Sequence, residues 1–284
     1  MVKEYHILSI SGGKDSTALA LLMKDEEPEI FEKLEFVFLD TECELEETYN
    51  YLNKIEVFLG KKIKHLKPYK SFDHLYAVQG FLPSIVNRWC TIMLKTSLYR
   101  KYISEKLASD KNAMVYTYIG IRDDERGRGL KSHVSNDNII DVFPFQKHGI
   151  NKSDVIDILE KSGIGLPEYY KWRKRSGCYF CFYQSPNDWL NLYENHPDLY
   201  YKAMSYEKYN EDGSKLYGWN MEYTLKDMIK PENMIKIREK YEKIKLKYIE
   251  KMKQKSPEKI INMFSDTIDF EEDICEENSC PMCR

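Results

Sequence analysis

The sequence predicts an α/β protein: a mostly parallel, twisted sheet with helices on both faces, followed by a helical C-terminal region. Three observations carry that expectation. Short apolar runs alternate with helix-patterned stretches of ten or more residues, a glycine-containing loop joins the first run to the first such stretch, and the pattern changes after Phe145. Strands alternating with helices of that length imply crossover connections, and such sheets bind ligands at the carboxyl ends of their strands.

The elements follow in order. Residues 5–10 alternate and are rich in apolar side chains; Ser11-Gly12-Gly13 breaks the run, and residues 15–24 take up helical periodicity. Residues 35–39 (EFVFL) read as a second, buried strand, 44–59 as a helix, 62–66 as a third strand and 115–121 as a fourth. Beyond Phe145, residues 151–162 look helical, 167–175 are aromatic and basic, 177–181 form a cysteine knuckle, and 231–255 form a Lys-rich helix. The acidic run 266–277 ends the reading, and both charge runs are read first as solvated faces. The expected division is a nucleotide-binding domain over 1–150 and a helical, cysteine-containing substrate or cluster region over 151–284.

Composition narrows the class. The 284 residues are 42% hydrophobic and 31% charged, which is globular, and 43 Lys+Arg against 46 Asp+Glu leave a net charge of -3. A global pull toward nucleic acid is therefore absent, although a local patch such as Lys171-Trp-Arg173-Lys174-Arg175 offers positive charge beside an aromatic face. No run has the roughly 18 apolar residues of a membrane span, and Met1 to Ser9 leads into a strand-like run instead of a signal peptide. A cytoplasmic enzyme without membrane association is expected. Seven cysteines (43, 90, 178, 181, 275, 280 and 283), an odd and clustered set, point to metal or redox chemistry more than to structural disulfides.

The segment Ser9-Ile-Ser11-Gly12-Gly13-Lys14-Asp15-Ser16-Thr17 lies between the first strand and the first helix. Two glycines let backbone approach a phosphate, the helix start offers unpaired N–H groups and a positive dipole end, and Ser11, Ser16 and Thr17 add hydroxyl donors. Lys14 adds a mobile charge. The spacing matches neither G-x-x-x-x-G-K-[ST] nor G-x-G-x-x-G, which disfavours γ-phosphoryl transfer and hydride chemistry. Farther on, Cys178-Tyr-Phe-Cys181 presents two thiols that suit an iron–sulfur group, zinc or a redox pair.

The Ser-Gly-Gly-x-Asp-Ser loop resembles that of the PP-loop ATP pyrophosphatases, and within them the phosphoadenylyl-sulfate (PAPS) reductase family. The likeness continues through Val37-Phe-Leu-Asp40-Thr41, Glu47-Thr48-Tyr49, Arg88-Trp89-Cys90-Thr91 with Lys95, and Gly120-Ile-Arg122-Asp-Asp-Glu125-Arg126. It implies that Ser9, Ser11, Gly12, Gly13, Lys14, Asp15, Ser16 and Thr17 hold the nucleotide phosphates and that Asp40 and Thr41 lie by the ribose and adenine. Gly120 and Arg122 would face the phosphates, with Arg126 and Arg128 extending the patch. Lys14, Asp15 and Arg122 are the expected catalytic set, with ATP and Mg²⁺ as cofactors and Asp15 as a Mg²⁺ contact. The alternative for Asp40 is a helix cap.

The same resemblance brings Cys90 toward Cys178 and Cys181 as ligands of a [4Fe–4S] cluster, with zinc as the alternative. A fourth ligand from Cys275, Cys280 or Cys283 would close the site. Cys43 is read as a small buried residue, with a reacting thiol as the alternative. A single Cys in Arg-Trp-Cys-Thr and a later Gly-Cys-x-x-Cys is most similar to the DndC and SspD type of DNA-phosphorothioation sulfurtransferase. That likeness implies adenylation of a substrate oxygen, its replacement by sulfur, DNA as acceptor and a cysteine desulfurase as donor. Three alternatives stay open: a PAPS or adenylyl-sulfate reductase, whose C-terminal Glu-Cys-Gly-Leu/Ile-His segment is absent here; tRNA or small-molecule thiolation; and a non-catalytic nucleotide-binding component of a complex.

Overall fold

A computed structural model describes residues 2–125, 137–173 and 177–255. Strand β1 (Glu4–Ser9) leads through the glycine loop into α1 (Lys14–Glu26), followed by α2 (Pro28–Lys33), β2 (Leu34–Leu39), α3 (Glu46–Leu59) and β3 (Ile63–Leu66). Next come α4 (Phe72–Gln79), α5 (Trp89–Thr91), a π-helical turn (Ile92–Thr96), α6 (Ser97–Ser109) and β4 (Met114–Tyr118). Then β5 (Ile139–Val142), α7 (Pro144–Lys147) and α8 (Lys152–Ser162) precede α9 (Pro186–Asn195) and α10 (Pro197–Met204). The short strands β6 (Lys208–Tyr209) and β7 (Lys215–Tyr217), α11 (Leu225–Met228) and α12 (Pro231–Lys255) follow.

The five-stranded sheet has the order β3-β2-β1-β4-β5, and every neighbouring pair is parallel. The chain builds outward from β1 to β3 on one side and then returns to the other side with β4. The carboxyl ends of β1 and β4 therefore flank the point where the order reverses, which is where open α/β sheets hold ligands.

Alternation along β1 explains the layers. Leu8 points into an apolar cluster with Leu19 and Leu22 of α1, Leu52 and Ile55 of α3 and Val155 and Leu159 of α8, whereas Ile7 points the other way, onto Tyr102 and Ile103 of α6. Helices thus cover both faces, as the sequence predicts. The helix ends follow local chemistry. Asn151 and Asp154 form a reciprocal capping box at α8, which Gly163 closes with a left-handed φ of 76°, and Glu46 and Glu47 place negative charge at the start of α3.

Two compact units divide the chain: the part up to Leu75 with Arg88–Tyr169, and Tyr76–Asn87 with the part from Tyr170 onward. The boundary expected after residue 150 lies instead after Tyr169, because α8 and Ile164 complete the core under α1 and α3. The second unit is mostly helical, as the sequence predicts, and also contains a short antiparallel hairpin, β6–β7. Its core is aromatic: Phe180 stacks on Trp219 at 5.6 Å, Trp219 meets Trp189 at 5.7 Å, and Trp189 and Tyr200 have no exposure. Glu207 is buried there and accepts from the Trp219 and Leu225 backbone N–H groups at 3.1 and 2.8 Å, tying the hairpin to the segment before α11. Burial pushes its carboxyl above the usual range. No helix among the described residues is long and apolar enough to cross a membrane.

His6 supplies a test of the first unit. It is buried on β1, stacks on Tyr116 at 4.9 Å, and its Nδ1 lies 2.9 Å from the Tyr118 hydroxyl. Burial holds its pKa below the ordinary value of 6.5, despite Glu4 at 3.5 Å. The unfolded chain therefore binds a proton that the folded one resists, so stability present above about pH 6.5 is lost as the pH falls. In urea titrations the midpoint is expected to drop between about pH 7 and about pH 5, and His6→Phe, which keeps the stacking, is expected to flatten that drop. Parallel pH profiles for the two proteins would refute the assignment.

Candidate functional site

The glycine loop is built by sterics. Gly12 has φ +70°, and a Cβ there would lie 2.7 Å from Thr48 Cγ2 on α3, so the loop lies against α3 at a distance only glycine tolerates. The Tyr169 hydroxyl donates to the Gly12 carbonyl at 3.2 Å, from beyond α8. Gly13 is the N-cap of α1 and has no side chain with which to cap the helix start. Ser16 Oγ accepts from the Ser11 N–H at 3.0 Å and donates to the Gly13 carbonyl at 3.2 Å, while Thr17 Oγ1 donates to the same carbonyl at 2.8 Å. Ser11 Oγ lies 3.1 Å from Ser16 Oγ, so all three expected hydroxyl donors make contacts inside the loop. Ser9 ends β1 and is half-buried.

Lys14, Asp15 and Arg122 meet. Lys14 Nζ donates to Asp15 Oδ2 at 2.7 Å, and Arg122 Nη1, from the loop after β4, donates to Asp15 Oδ1 at 3.0 Å. Both cations are buried, at 1 and 5% exposure, so solvent screens this bridge weakly. Arg122 also pairs with Asp124 at 3.1 Å and Glu125 at 3.4 Å. Its charge is thus shared among three carboxylates, and a phosphate entering between Lys14 and Arg122 must compete with Asp15 for both. Gly120 follows β4, but a Cβ there would sit 3.5 Å from Asp15 O and from Phe145 Cε2, an ordinary contact. Space alone does not require glycine at that position.

At the end of β2, Asp40 is buried and not a helix cap: the N-cap of α3 is Leu45, with no side-chain cap. Instead Asp40 Oδ1 accepts from the Glu42 N–H at 2.9 Å and the Tyr49 hydroxyl at 2.7 Å, and Oδ2 lies 3.6 Å from His65 Nδ1. Burial, then the Asp40 carboxylate, raises the Tyr49 phenol well above its ordinary value. Thr41 donates to Glu44 Oε1 at 2.9 Å, and Lys95 lies 3.6 Å from the same oxygen. Sequence reasoning did not assign His65 or Glu44 to this corner, and the parallel register of β2 and β3, which puts Leu39 opposite Leu66, explains why His65 arrives there.

Cys90 lies in α5 of the first unit, half-buried, and Cys43 is buried. Cys178 and Cys181 are half-buried on one turn of the second unit and are not disulfide-bonded. Arg173, expected in a solvent-facing basic patch, is instead wholly buried, and its Nη2 donates to the Cys178 carbonyl at 2.5 Å. Its Nε and Nη1 are buried with no hydrogen-bond acceptor among the described residues. Lys171 is exposed, and Trp172 is half-buried against His196 at 5.4 Å. Arg126, Arg128, Lys174, Arg175, Cys275, Cys280 and Cys283 lie outside the described residues.

Among the described residues no three His, Cys, Asp or Glu side chains converge to hold a metal ion. Two soft thiols beside a buried, acceptor-poor guanidinium nevertheless fit a thiolate-bound group that brings negative charge, as an iron–sulfur cluster does.

The loop sterics make Gly12→Ala a direct test. A left-handed alanine costs about 1–2 kcal/mol and the Thr48 contact adds about 1–3 kcal/mol of overpacking. The double variant with Thr48→Ala is expected to recover only the second part in chemical denaturation. Full recovery would mean that φ +70° is not enforced.

The profile of the phosphoadenosine phosphosulfate reductase domain matches residues 5–182. Two uncharacterized proteins of Methanocaldococcus jannaschii are 28% identical over 220 residues (74% of this chain, 50% of the relative) and 26% identical over 210 residues (71% and 41%). The chain thus spans half or less of the length of these curated relatives. Among solved structures, the Candida auris phosphoadenylyl-sulfate (PAPS) reductase in its phosphate complex is similar at 15% identity and TM-score 0.43, covering 62% of this chain and 80% of that one. The U34-tRNA thiolase NcsA of Methanococcus maripaludis, with its [4Fe-4S] cluster, is similar at 16% identity and TM-score 0.36, covering 70% and 68%. These structural likenesses are too distant to transfer a site residue, but the profile spans well over half of the chain, including the glycine loop, Arg122 and the cysteine turn: the protein belongs to the phosphoadenosine phosphosulfate reductase domain family.

Proposed function

We propose that this chain is an ATP-dependent sulfurtransferase that adenylates a substrate oxygen, releases pyrophosphate and lets sulfur displace AMP. The observation that carries this reading is the pair of buried cations, Lys14 and Arg122, held on either side of Asp15 where the strand order reverses, beside a helix start without a side-chain cap. That is an arrangement for negative charge.

In the first step the acceptor oxygen bonds to the α-phosphorus as the bond from that phosphorus to the β-phosphate bridge breaks, and charge builds on the departing pyrophosphate. Lys14, Arg122 and the N–H groups opening α1 receive that charge, a preorganised stabilisation of the kind expected to dominate phosphoryl-type chemistry. Asp15 would release both cations to the incoming phosphates, and its carboxylate would then be the contact for the Mg²⁺ that accompanies ATP. Gly12 and Gly13 keep side chains out of the phosphate path, and Asp40 and Thr41 serve the ribose and adenine. In the second step a sulfur nucleophile bonds to the activated centre and AMP leaves with the original oxygen.

Cys90, Cys178 and Cys181 are the proposed thiolate ligands of a [4Fe–4S] cluster, with zinc as the competing occupant. Bound by three protein ligands, a cluster supplies one open soft position for sulfur. The proposed acceptor is a non-bridging phosphate oxygen of DNA and the proposed donor a cysteine desulfurase; both rest on the sequence resemblance.

Three measurements decide the reading. Calorimetry with anaerobically purified protein is expected to show at least tenfold preference for ATP with Mg²⁺ over PAPS and adenylyl sulfate, about 1.4 kcal/mol; the reverse preference would restore the reductase. Lys14→Ala is expected to lower pyrophosphate release about 100-fold or more with the melting curve retained. Normal release by that variant would remove the loop from the chemistry. Anaerobic preparations are expected to be brown and Cys178→Ala colourless, whereas iron-free protein with stoichiometric zinc would replace the cluster by zinc.

A further inference from the structure

We propose that Arg173 is the fixed counter-charge and positioning residue of a negatively charged, thiolate-held group at the Cys178–Cys181 turn, an inference that rests on the cysteine part of the reading above and not on its nucleotide part. Arg173 has 0% exposure, and its only described hydrogen bond is to the Cys178 carbonyl. Among the described residues its Nε and Nη1 have no acceptor and no carboxylate pairs with it. A guanidinium cannot shed its proton at physiological pH, so burial leaves a full positive charge in want of an anion. The anion-forming groups on the turn that Arg173 grips are the two thiols.

The turn is also held before anything binds. Arg173 ties down the carbonyl of Cys178, Gln184 Nε2 donates to the Tyr179 carbonyl at 2.8 Å, and the Gln184 N–H donates to the Cys181 carbonyl at 3.1 Å. Phe180, between the two cysteines, is locked into the aromatic core against Tyr179, Tyr206 and Trp219. Three anchored carbonyls and one buried ring fix where the cysteine backbone stands, which is the preorganisation a soft-metal site requires of the residues behind its ligands. A neutral side chain at residue 173 would serve packing equally well. A charged one with unused donors serves an anion.

The test uses the full chain, purified without oxygen and compared as apoprotein and after reconstitution with ferrous iron and sulfide. Arg173→Met keeps the length and removes the charge, Arg173→Lys keeps the charge, and Cys178→Ala is the ligand-deletion reference. Reconstitution is expected to raise the melting temperature of the wild type. In Arg173→Met that rise should collapse, iron should be lost to a competing chelator at least tenfold faster, and the midpoint potential should move to more negative values, because the reduced, more negative group loses its counter-charge. Arg173→Lys should recover most of the iron retention. Equal destabilisation of apo and reconstituted Arg173→Met, with unchanged potential and iron retention, would make Arg173 a packing residue and overturn the proposal. A wild type that takes up neither iron nor zinc would overturn it together with the cluster assignment, while ATP binding, measured separately, would leave the nucleotide reading standing.

Discussion

The carboxylate of Asp15, one oxygen on Lys14 and the other on Arg122, is the interaction on which the edge at the carboxyl ends of β1 and β4 depends. It joins the start of α1 to the loop after β4, two segments more than a hundred residues apart that the sheet order makes neighbours. Without it Lys14 and Arg122, both buried, would lose the carboxylate they share and Arg122 would be left to Asp124 and Glu125, at a cost that low local dielectric makes large. The same bridge defines what a ligand must do, since only a group offering negative charge to both cations can replace it. In the proposed reading, carboxylate and phosphate share one position in this fold, and exchange between them is the elementary event at the site.

The readable parts of the sequence were those governed by local periodicity. The first three strands, the helices α1, α3 and α8 and the full extent of α12 lie within two residues or so of the expected limits, because each combines an apolar pattern with its own start or stop signal. Short elements left no such pattern: α2 and β5 have six and four residues, too few to display a period, and the strands of the β6–β7 hairpin have two and three. The loop was legible because its glycines, hydroxyls and lysine stand between a strand and a helix, whereas Arg122 was singled out through the family resemblance. Arg173 was misread, since a run of Lys, Trp and Arg looks the same whether it faces water or folds one guanidinium under a cysteine turn. Burial is a property of tertiary packing, and one charged residue does not announce it.

The corner at Asp40 shows the same limit from another side. A buried aspartate before a helix reads naturally as a cap. The chain instead takes φ +60° at Glu42, brings that residue's N–H back to Asp40, and starts α3 at Glu46 behind an uncapped Leu45. This turn frees α3 from Asp40 and lets Tyr49, on the first turns of the helix, return its hydroxyl to the carboxylate. The result is a rigid polar corner beside the glycine loop whose members come from β2, α3 and β3.

The hydrogen bond from Tyr169 to the Gly12 carbonyl spans 157 residues of sequence. The loop's own serine and threonine contacts are local and close as soon as α1 forms, whereas this clamp, together with the α8 layer under α1, arrives only when the chain has reached Tyr169. Contacts of such long sequence separation form late, after the entropy of closing the intervening chain has been met. During synthesis the phosphate loop is therefore present long before it is braced. A nascent chain ending near residue 150 carries every glycine and the lysine of the loop but not the strut behind it, so the braced loop belongs to the completed first unit and not to the motif.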